Sequence, residues 1–352
     1  MVEAVYEKLI DALNSRSTFL APAVKCDEFF ALAAYLYSPV EAEIACAMPP
    51  GFATAREIAA NIPGSHPEKI AGQLETMVNK AVIHSREEKG ETLYELLPLF
   101  PGVMELQFYR TGEDEFLGKL DILLAQYLKA MRVLLKSGAR VTTGVSSPGR
   151  KVAIGQEVYS RSTIIPYTEM KELIMQNEYI GTAVCHCRHL GEQWGRPCSK
   201  PMDNCMIFGT SAKFTIERGL TKHLTSEQAL QVLDEAEKAG LIHQYADSPD
   251  HYSNILCNCC SCHCIALKGY NKSPVPSQAV IARYLVKVDD EACTACEACL
   301  ERCQMGALKM GDGKLKRDEQ RCIGCGLCMY VCPTEALTLD KRPAGKIPLK
   351  KC

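Results

Sequence analysis

The 352-residue sequence has little of several features that mark common classes of protein. It holds one tryptophan, and its 40 Lys and Arg residues nearly balance its 42 Asp and Glu residues. This balance argues against a general electrostatic attraction to nucleic acid or acidic lipid. No run of about 18 apolar residues occurs, so we expect no membrane-spanning helix. The start of the sequence lacks the basic residues and apolar stretch of a secretory signal, and we therefore expect a cytoplasmic location.

Cysteine, by contrast, is abundant, and 18 of the 20 cysteines follow residue 184. Reducing conditions in the cytoplasm keep thiols from pairing, so a dense group of cysteines there indicates metal binding or redox chemistry rather than disulfides. The composition, 47% apolar and 23% charged, is that of a folded globular protein. At about 150 residues per domain, the length predicts two or three domains.

The first part of the chain has the local signals of two helices and a hairpin. Thr54 with Glu57, and Ser65 with Glu68, are each spaced as a capping box that begins a helix. Val82 and Ile83, a polar turn through Gly90, and strand alternation over 92–96 then indicate a β-hairpin. This order of elements resembles a winged helix.

The charge of this winged-helix-like segment does not suit contact with DNA. Residues 54–97 hold five basic and seven acidic residues, whereas binding to phosphates needs a positive surface. We therefore predict protein–protein docking or dimerisation for this part, and no binding to nucleic acid. Apolar residues recur through 115–136 and predict one long, largely buried helix.

The clearest motif is an internal repeat near the carboxyl end. Four cysteines with the spacing C-x2-C-x2-C-x3-C recur 29 residues later with the same spacing. Three cysteines so spaced wrap one iron–sulfur cube, while the fourth points away and ligates the other cluster. The predicted ligand sets are Cys293, Cys296, Cys299 and Cys332 for one 4Fe–4S cluster, and Cys322, Cys325, Cys328 and Cys303 for the other.

This repeat resembles a bacterial-type two-cluster ferredoxin, over about 55 residues. The first motif departs from that pattern because Gln304 follows its last cysteine, where the second has Pro333. The first loop also carries Glu297 where the second has Gly326. Since added negative charge disfavours the reduced state, we expect the first cluster to have the lower potential.

A second concentration of cysteines lies in the middle of the chain. Such sulfur-rich sites suit iron–sulfur clusters, zinc or Cu(I); the ferredoxin-like repeat favours iron–sulfur, and zinc remains open. The interleaved histidines, His186, His189 and His263, are left out of the predicted ligand set. The nine predicted metal ligands are Cys185, Cys187, Cys198, Cys205, Cys257, Cys259, Cys260, Cys262 and Cys264.

The order of these motifs, over residues 160–340, resembles ferredoxin-fused iron–sulfur proteins of anaerobic bacteria and archaea. The resemblance implies single-electron transfer to or from a partner oxidoreductase, as a carrier or subunit rather than a stand-alone enzyme. Two alternatives stay open. One is a redox-sensing winged-helix regulator, and the other is a reductase with its substrate site at the middle cysteines.

The predicted fold class is α+β. The predicted domains are 1–136, mainly helical and winged-helix-like; 137–151, a linker; 152–280, a helical cysteine-rich metal-binding domain; 281–342, a two-cluster ferredoxin-like domain; and 343–352, a basic tail.

Overall fold

The computed structural model describes residues 2–16, 23–109, 115–136, 163–246, 255–272 and 281–342. The predicted linker at 137–151 and the predicted basic tail at 343–352 lie outside the described residues. The chain divides into two compact units. One is Met1–Glu157 with Phe214–Thr221, and the other is Val158–Lys213 with Lys222–Cys352.

The first unit is mainly helical, and its helices enclose apolar side chains such as Phe29, Leu74 and Tyr127. Three short strands form an antiparallel sheet in the order β1-β3-β2. The elements are α1 (Val2–Arg16), α2 (Asp27–Leu36), α3 (Pro39–Ala47), β1 (Ala53–Thr54), α4 (Ala55–Ala60), α5 (Pro67–Asn79), β2 (Ile83–Glu88), β3 (Glu91–Leu96), a π-helical turn (Leu99–Val103), α6 (Met104–Phe108) and α7 (Glu115–Lys136).

Of the two predicted capping boxes in this unit, one is confirmed and one is wrong. Thr54 and Glu57 cap α4 reciprocally, as predicted. Ser65 instead donates its hydroxyl hydrogen to the carbonyl of Ala59, and α5 begins only at Pro67. Proline suits the first helical position because it lacks the N–H that would be unpaired there, so the helix starts later than the capping pattern predicts.

The second unit combines helices and strands throughout. Its elements are β4 (Thr163–Ile164), α8 (Tyr167–Gln176), β5 (Ile180–Val184), α9 (His186–Gln193), β6 (Asp203–Phe208), α10 (Gly209–Glu217, ending in the first unit), β7 (Lys222–His223), α11 (Ser226–Lys238), β8 (Ile242–Ala246), β9 (Ile255–Cys259), α12 (Ile265–Lys272), β10 (Ile281–Ala282), β11 (Tyr284–Val288), α13 (Ala298–Arg302), β12 (Leu308–Gly311), β13 (Lys314–Arg317), α14 (Leu327–Tyr330) and β14 (Leu337–Lys341).

Strands, not helices alone, build the cysteine-rich part of this unit. A seven-stranded sheet has the order β10-β4-β8-β9-β6-β5-β7 and is antiparallel except for the β10–β4 pair. The prediction of a helical cysteine-rich domain is therefore wrong in this respect, although the mixed α and β class is confirmed. Its strands have at most six residues, and apolar runs so short do not distinguish a buried strand from a piece of helix.

The carboxyl-terminal repeat contains two short pairs of antiparallel strands. Strand β11 pairs with β14, and β12 pairs with β13, both antiparallel. Their apolar residues join one core with those of the cysteine-rich part, including Ile164, Leu267 and Val286. The cysteine-rich part and the repeat thus share one apolar core within the second unit. Among the described residues, no helix combines the length and hydropathy needed to cross a bilayer.

Candidate metal centres

The two cysteine motifs of the repeat form two separate cavities, each with four thiols. One cavity is lined by a set of residues whose thiols we call the first cage. The other is lined by residues whose thiols we call the second cage. In each, three thiols come from one motif and the fourth from the other motif. The first cage is Cys293, Cys296, Cys299 and Cys332, and the second is Cys303, Cys322, Cys325 and Cys328.

The two loops reach the same backbone shape with different residues. Ala295 and Glu297 in the first loop have φ of 55° and 63°, and Gly324 and Gly326, 29 residues later, have φ of 67° and 83°. A left-handed residue at both places in each loop lets three successive cysteines point toward one centre. The repeat is therefore a repeat of conformation as well as of spacing.

Backbone N–H groups point at the thiols of both cages, as sulfur ligands of a cluster require. The N–H of Ala307 donates to Cys303 Sγ at 3.3 Å. Burial opposes ionisation of Cys332, but hydrogen bonds from the backbone of Thr334, Ala336 and Leu337 lower its pKa.

Other thiols of the second cage are poorly placed to ionise on their own. Burial raises the pKa of Cys328 to about 12, and it also raises the pKa of Cys325. Buried thiols of this kind become thiolates when a bound cation supplies the compensating charge. The donor chemistry of the cage therefore fits a metal cluster.

The nine middle cysteines fall into two groups, not one. The larger group, the six-thiol group, is joined by a continuous series of thiol–thiol contacts. These contacts run Cys185–Cys205, Cys205–Cys257, Cys257–Cys259, Cys259–Cys264 and Cys264–Cys187.

The fold of the sheet explains the six-thiol group. Cys205 lies on β6, and Cys257 and Cys259 lie two residues apart on the adjacent strand β9, so both β9 side chains share a face. Cys185 follows the next strand, β5, at the start of α9, and Cys264 precedes α12. Hydrogen bonds from Cys205 and Cys259 lower the pKa of Cys257 to about 6.

Arg188 supplies a buried positive charge beside these thiols. It is 0% exposed and is the largest fully buried side chain among the described residues. Its Nη1 donates to the carbonyl of Asn258 at 3.0 Å, and its other terminal nitrogen donates to the side chain of Asn204. Burial opposes its charge, but the anionic forms of Cys185 and Cys205 raise the pKa of Arg188. A buried guanidinium needs a negative partner, which ionised sulfur would provide.

The remaining three cysteines form a separate group close to the surface. Cys198 Sγ lies 3.9 Å from Cys260 Sγ and 3.8 Å from Cys262 Sγ. His263 completes it, because one ligand atom from each of the four residues lies within 4.8 Å of all the others. Cys198 and Cys260 both pack against Ala236 and Leu241. This packing brings the segment that carries Cys198 next to the segment that carries Cys260. Sequence reasoning omitted His263, whose position next to Cys262 was the available signal.

Gln304 connects the repeat with the middle cysteines. Its amide nitrogen donates to the carbonyls of Gly240 and, at 3.3 Å, Cys259. Its amide oxygen accepts from the backbone N–H of Ser261 at 2.5 Å. The residue that breaks the ferredoxin pattern thus makes the contacts that hold the two parts of this unit together.

Comparison with known proteins supports one part of this picture. Residues 315–338 match the family described as 4Fe-4S binding domain, and this segment contains the second cysteine loop. The match indicates a 4Fe–4S cluster and a capacity for iron–sulfur electron transfer. No curated protein and no solved structure match the chain.

Proposed function

We propose that this protein is an electron-transfer protein that carries two 4Fe–4S clusters in its carboxyl-terminal repeat. The observation that carries the proposal is the pair of four-thiol cavities, each with three cysteines from one motif and one from the other. When bound, such clusters accept and release single electrons. The chain holds them in place and supplies the surrounding hydrogen bonds and apolar walls.

The ligands in this proposal are the four cysteines of each cage. Apolar side chains line both cavities, with Met310 and Leu315 in the first and Met305 and Leu308 in the second. These walls limit the access of water. Limited access lowers the local dielectric and so makes the cluster potential sensitive to nearby charges and N–H groups.

We further propose that the six-thiol group holds an additional iron–sulfur cluster. Sulfur ligands alone suit such a cluster, and Arg188 beside them offsets its negative charge. Cys259 and Cys264 share their apolar core with Cys299, Cys322 and Cys328 of the two cages. Gln304 adds a polar connection, because it follows Cys303 in the chain and contacts the carbonyl of Cys259. Electrons could therefore pass between the cages and the six-thiol group through packed protein.

The first unit would serve as a docking or dimerisation element in this proposal. Its helices α4 and α5, followed by the β2–β3 hairpin, have the element order of a winged helix, while its acidic balance disfavours DNA. We infer that the redox partner is an oxidoreductase, that the protein acts in the cytoplasm, and that it belongs to an anaerobic metabolism. The cysteine content supports the last two points, because thiols this numerous escape oxidation only in a reducing environment.

The test is analysis of iron and acid-labile sulfide in protein purified without oxygen, followed by a redox titration. The proposal predicts about twelve irons per chain, about eight of them in the two cages. A count of about eight would restrict clusters to the repeat and contradict a cluster in the six-thiol group. Colourless protein after cluster reconstitution, with no paramagnetic signal on reduction, would contradict the proposal as a whole.

A further inference from the structure

We propose that Cys198, Cys260, Cys262 and His263 form a closed tetrahedral site for one zinc ion, distinct from the iron–sulfur centres. This site goes beyond the proposed electron-transfer function and does not depend on it. Three independent observations support the assignment: the spacing of the sulfur atoms, the orientation of the histidine ring, and the space made for that ring.

The distances between the sulfurs fit a single ion. Ligands about 2.3 Å from one zinc ion at tetrahedral angles place two sulfurs about 3.8 Å apart. Cys198 Sγ lies 3.9 Å from Cys260 Sγ and 3.8 Å from Cys262 Sγ.

The histidine ring is oriented as a metal ligand. His263 Nε2 lies 2.7 Å from the carbonyl oxygen of Arg196, and since a carbonyl only accepts, Nε2 must carry the hydrogen. In the neutral ring Nδ1 then has a free lone pair, and this atom lies 3.3 Å from Cys262 Sγ. Metal-bound histidines commonly donate their other N–H to a carbonyl in this way, which fixes both the tautomer and the ring angle.

Gly191 on α9 makes room for the ring. A Cβ at this position would lie 2.2 Å from His263 Cδ2 and 2.6 Å from His263 Nε2. Any side chain would displace the histidine from the three thiols. Gly269 on α12 provides a matched control, because a Cβ there meets nothing within 4 Å and its φ is not positive.

The charge of the site is also compensated. One zinc ion with three thiolates and a neutral imidazole has a net charge of −1. Arg188 Nη1 lies 4.0 Å from Cys260 Sγ and is buried. Arg188 therefore stands between the six-thiol group and this site and opposes negative charge at both. All four ligand positions are filled by the protein, which is typical of a structural rather than a catalytic zinc site.

The test measures zinc, iron and sulfide in full-length protein purified without oxygen from medium supplied with zinc and iron, together with zinc X-ray absorption. We expect one zinc per chain with three sulfurs at about 2.3 Å and one nitrogen at about 2.0 Å. Cys262→Ser should lose zinc and keep its iron, whereas Cys293→Ser should lose iron and keep its zinc. His263→Cys should retain zinc with four sulfur neighbours.

Gly191→Ala should remove the nitrogen from the zinc shell, while Gly269→Ala should leave the spectrum unchanged. Wild-type protein without zinc, or zinc that persists in Cys262→Ser, would overturn the assignment. Zinc retained in protein that lacks iron would instead support this site and contradict the electron-transfer proposal, so the two failures are distinguishable.

Discussion

The two cysteine loops of the repeat share one backbone shape, but the packing around them restricts their residues to different degrees. In the second loop, a Cβ at Gly324 would lie 2.2 Å from the backbone carbonyl oxygen of Tyr284. The first loop has Ala295 at the matching place, with a left-handed φ of 55°. Neighbouring strand β11 thus requires glycine in the second loop, whereas the first loop carries a side chain. The two loops therefore build the same kind of cage in different surroundings.

The largest expected effect tests whether the cages are crossed. Cys332→Ser combined with Cys293→Ser should lose about four irons, no more than either change alone, because both thiols serve the first cage. Cys332→Ser combined with Cys322→Ser should lose about eight irons, because each thiol serves a different cage. Iron and sulfide analysis checks both. Equal losses from the two pairs would show that the ligands are not divided as the cavities suggest.

A smaller loss is expected from the glycine that only the second loop requires. Gly324→Ala forces its methyl group against the backbone of β11, which cannot move as a side chain can, so the second cage should lose about four irons. Ala295→Gly is the matched change in the first loop and should leave the iron content unaltered. If Gly324→Ala kept a full complement of iron, the asymmetry between the loops would have no consequence.

Gln304 and Pro333 occupy matching places after the two motifs, and their replacement should affect stability unequally. Gln304→Ala removes three hydrogen bonds to Gly240, Cys259 and Ser261 and should lower the free energy of unfolding by about 1–3 kcal/mol. Anaerobic thermal unfolding, followed by the loss of cluster absorbance, measures the difference. Pro333→Ala breaks no side-chain hydrogen bond and is the control. A drop as large in Pro333→Ala would refute the special role of Gln304.

The smallest effect concerns the potentials of the two cages. Glu297→Gln removes a negative charge beside the first cage and should raise the potential of that cluster by some tens of millivolts, with the second unchanged. Glu297→Gly should give the same shift and also stabilise the loop, because glycine adopts a φ of 63° without strain. Redox titration separates the clusters, and the exposed Glu301→Gln is the control. Unaltered potentials in both variants would dismiss the charge effect.

The parts of the molecule that sequence predicts well are local. The capping box at Thr54 forms as expected, and the long helix over 115–136 is present. That helix is less buried than predicted, because Ile122 and Val133 are exposed. Each of these two features depends on contacts between residues a few positions apart, or on apolar residues that recur at the spacing of a helix. Ser65 shows the limit, because a proline two residues later changes where the helix starts.

The middle cysteines show what sequence could not predict. Cys205 and Cys257 stand 52 residues apart, and only the pairing of β6 with β9 makes them neighbours. Cys260 and Cys262 lie within the same short run as Cys259 and Cys264, yet they turn toward Cys198 and a different site. Spacing alone therefore predicted that these thiols bind metal, without separating one group from the other.

By itself, the sequence determined the duplicated cysteine motif and, through its regular spacing, the shape of each loop, because both follow from short stretches of backbone. The tertiary structure alone decided which of the middle thiols share a site, which residue opposes their charge, and that a histidine joins three of them. Those outcomes depend on distances between strands and helices remote in the chain, and packing sets these distances.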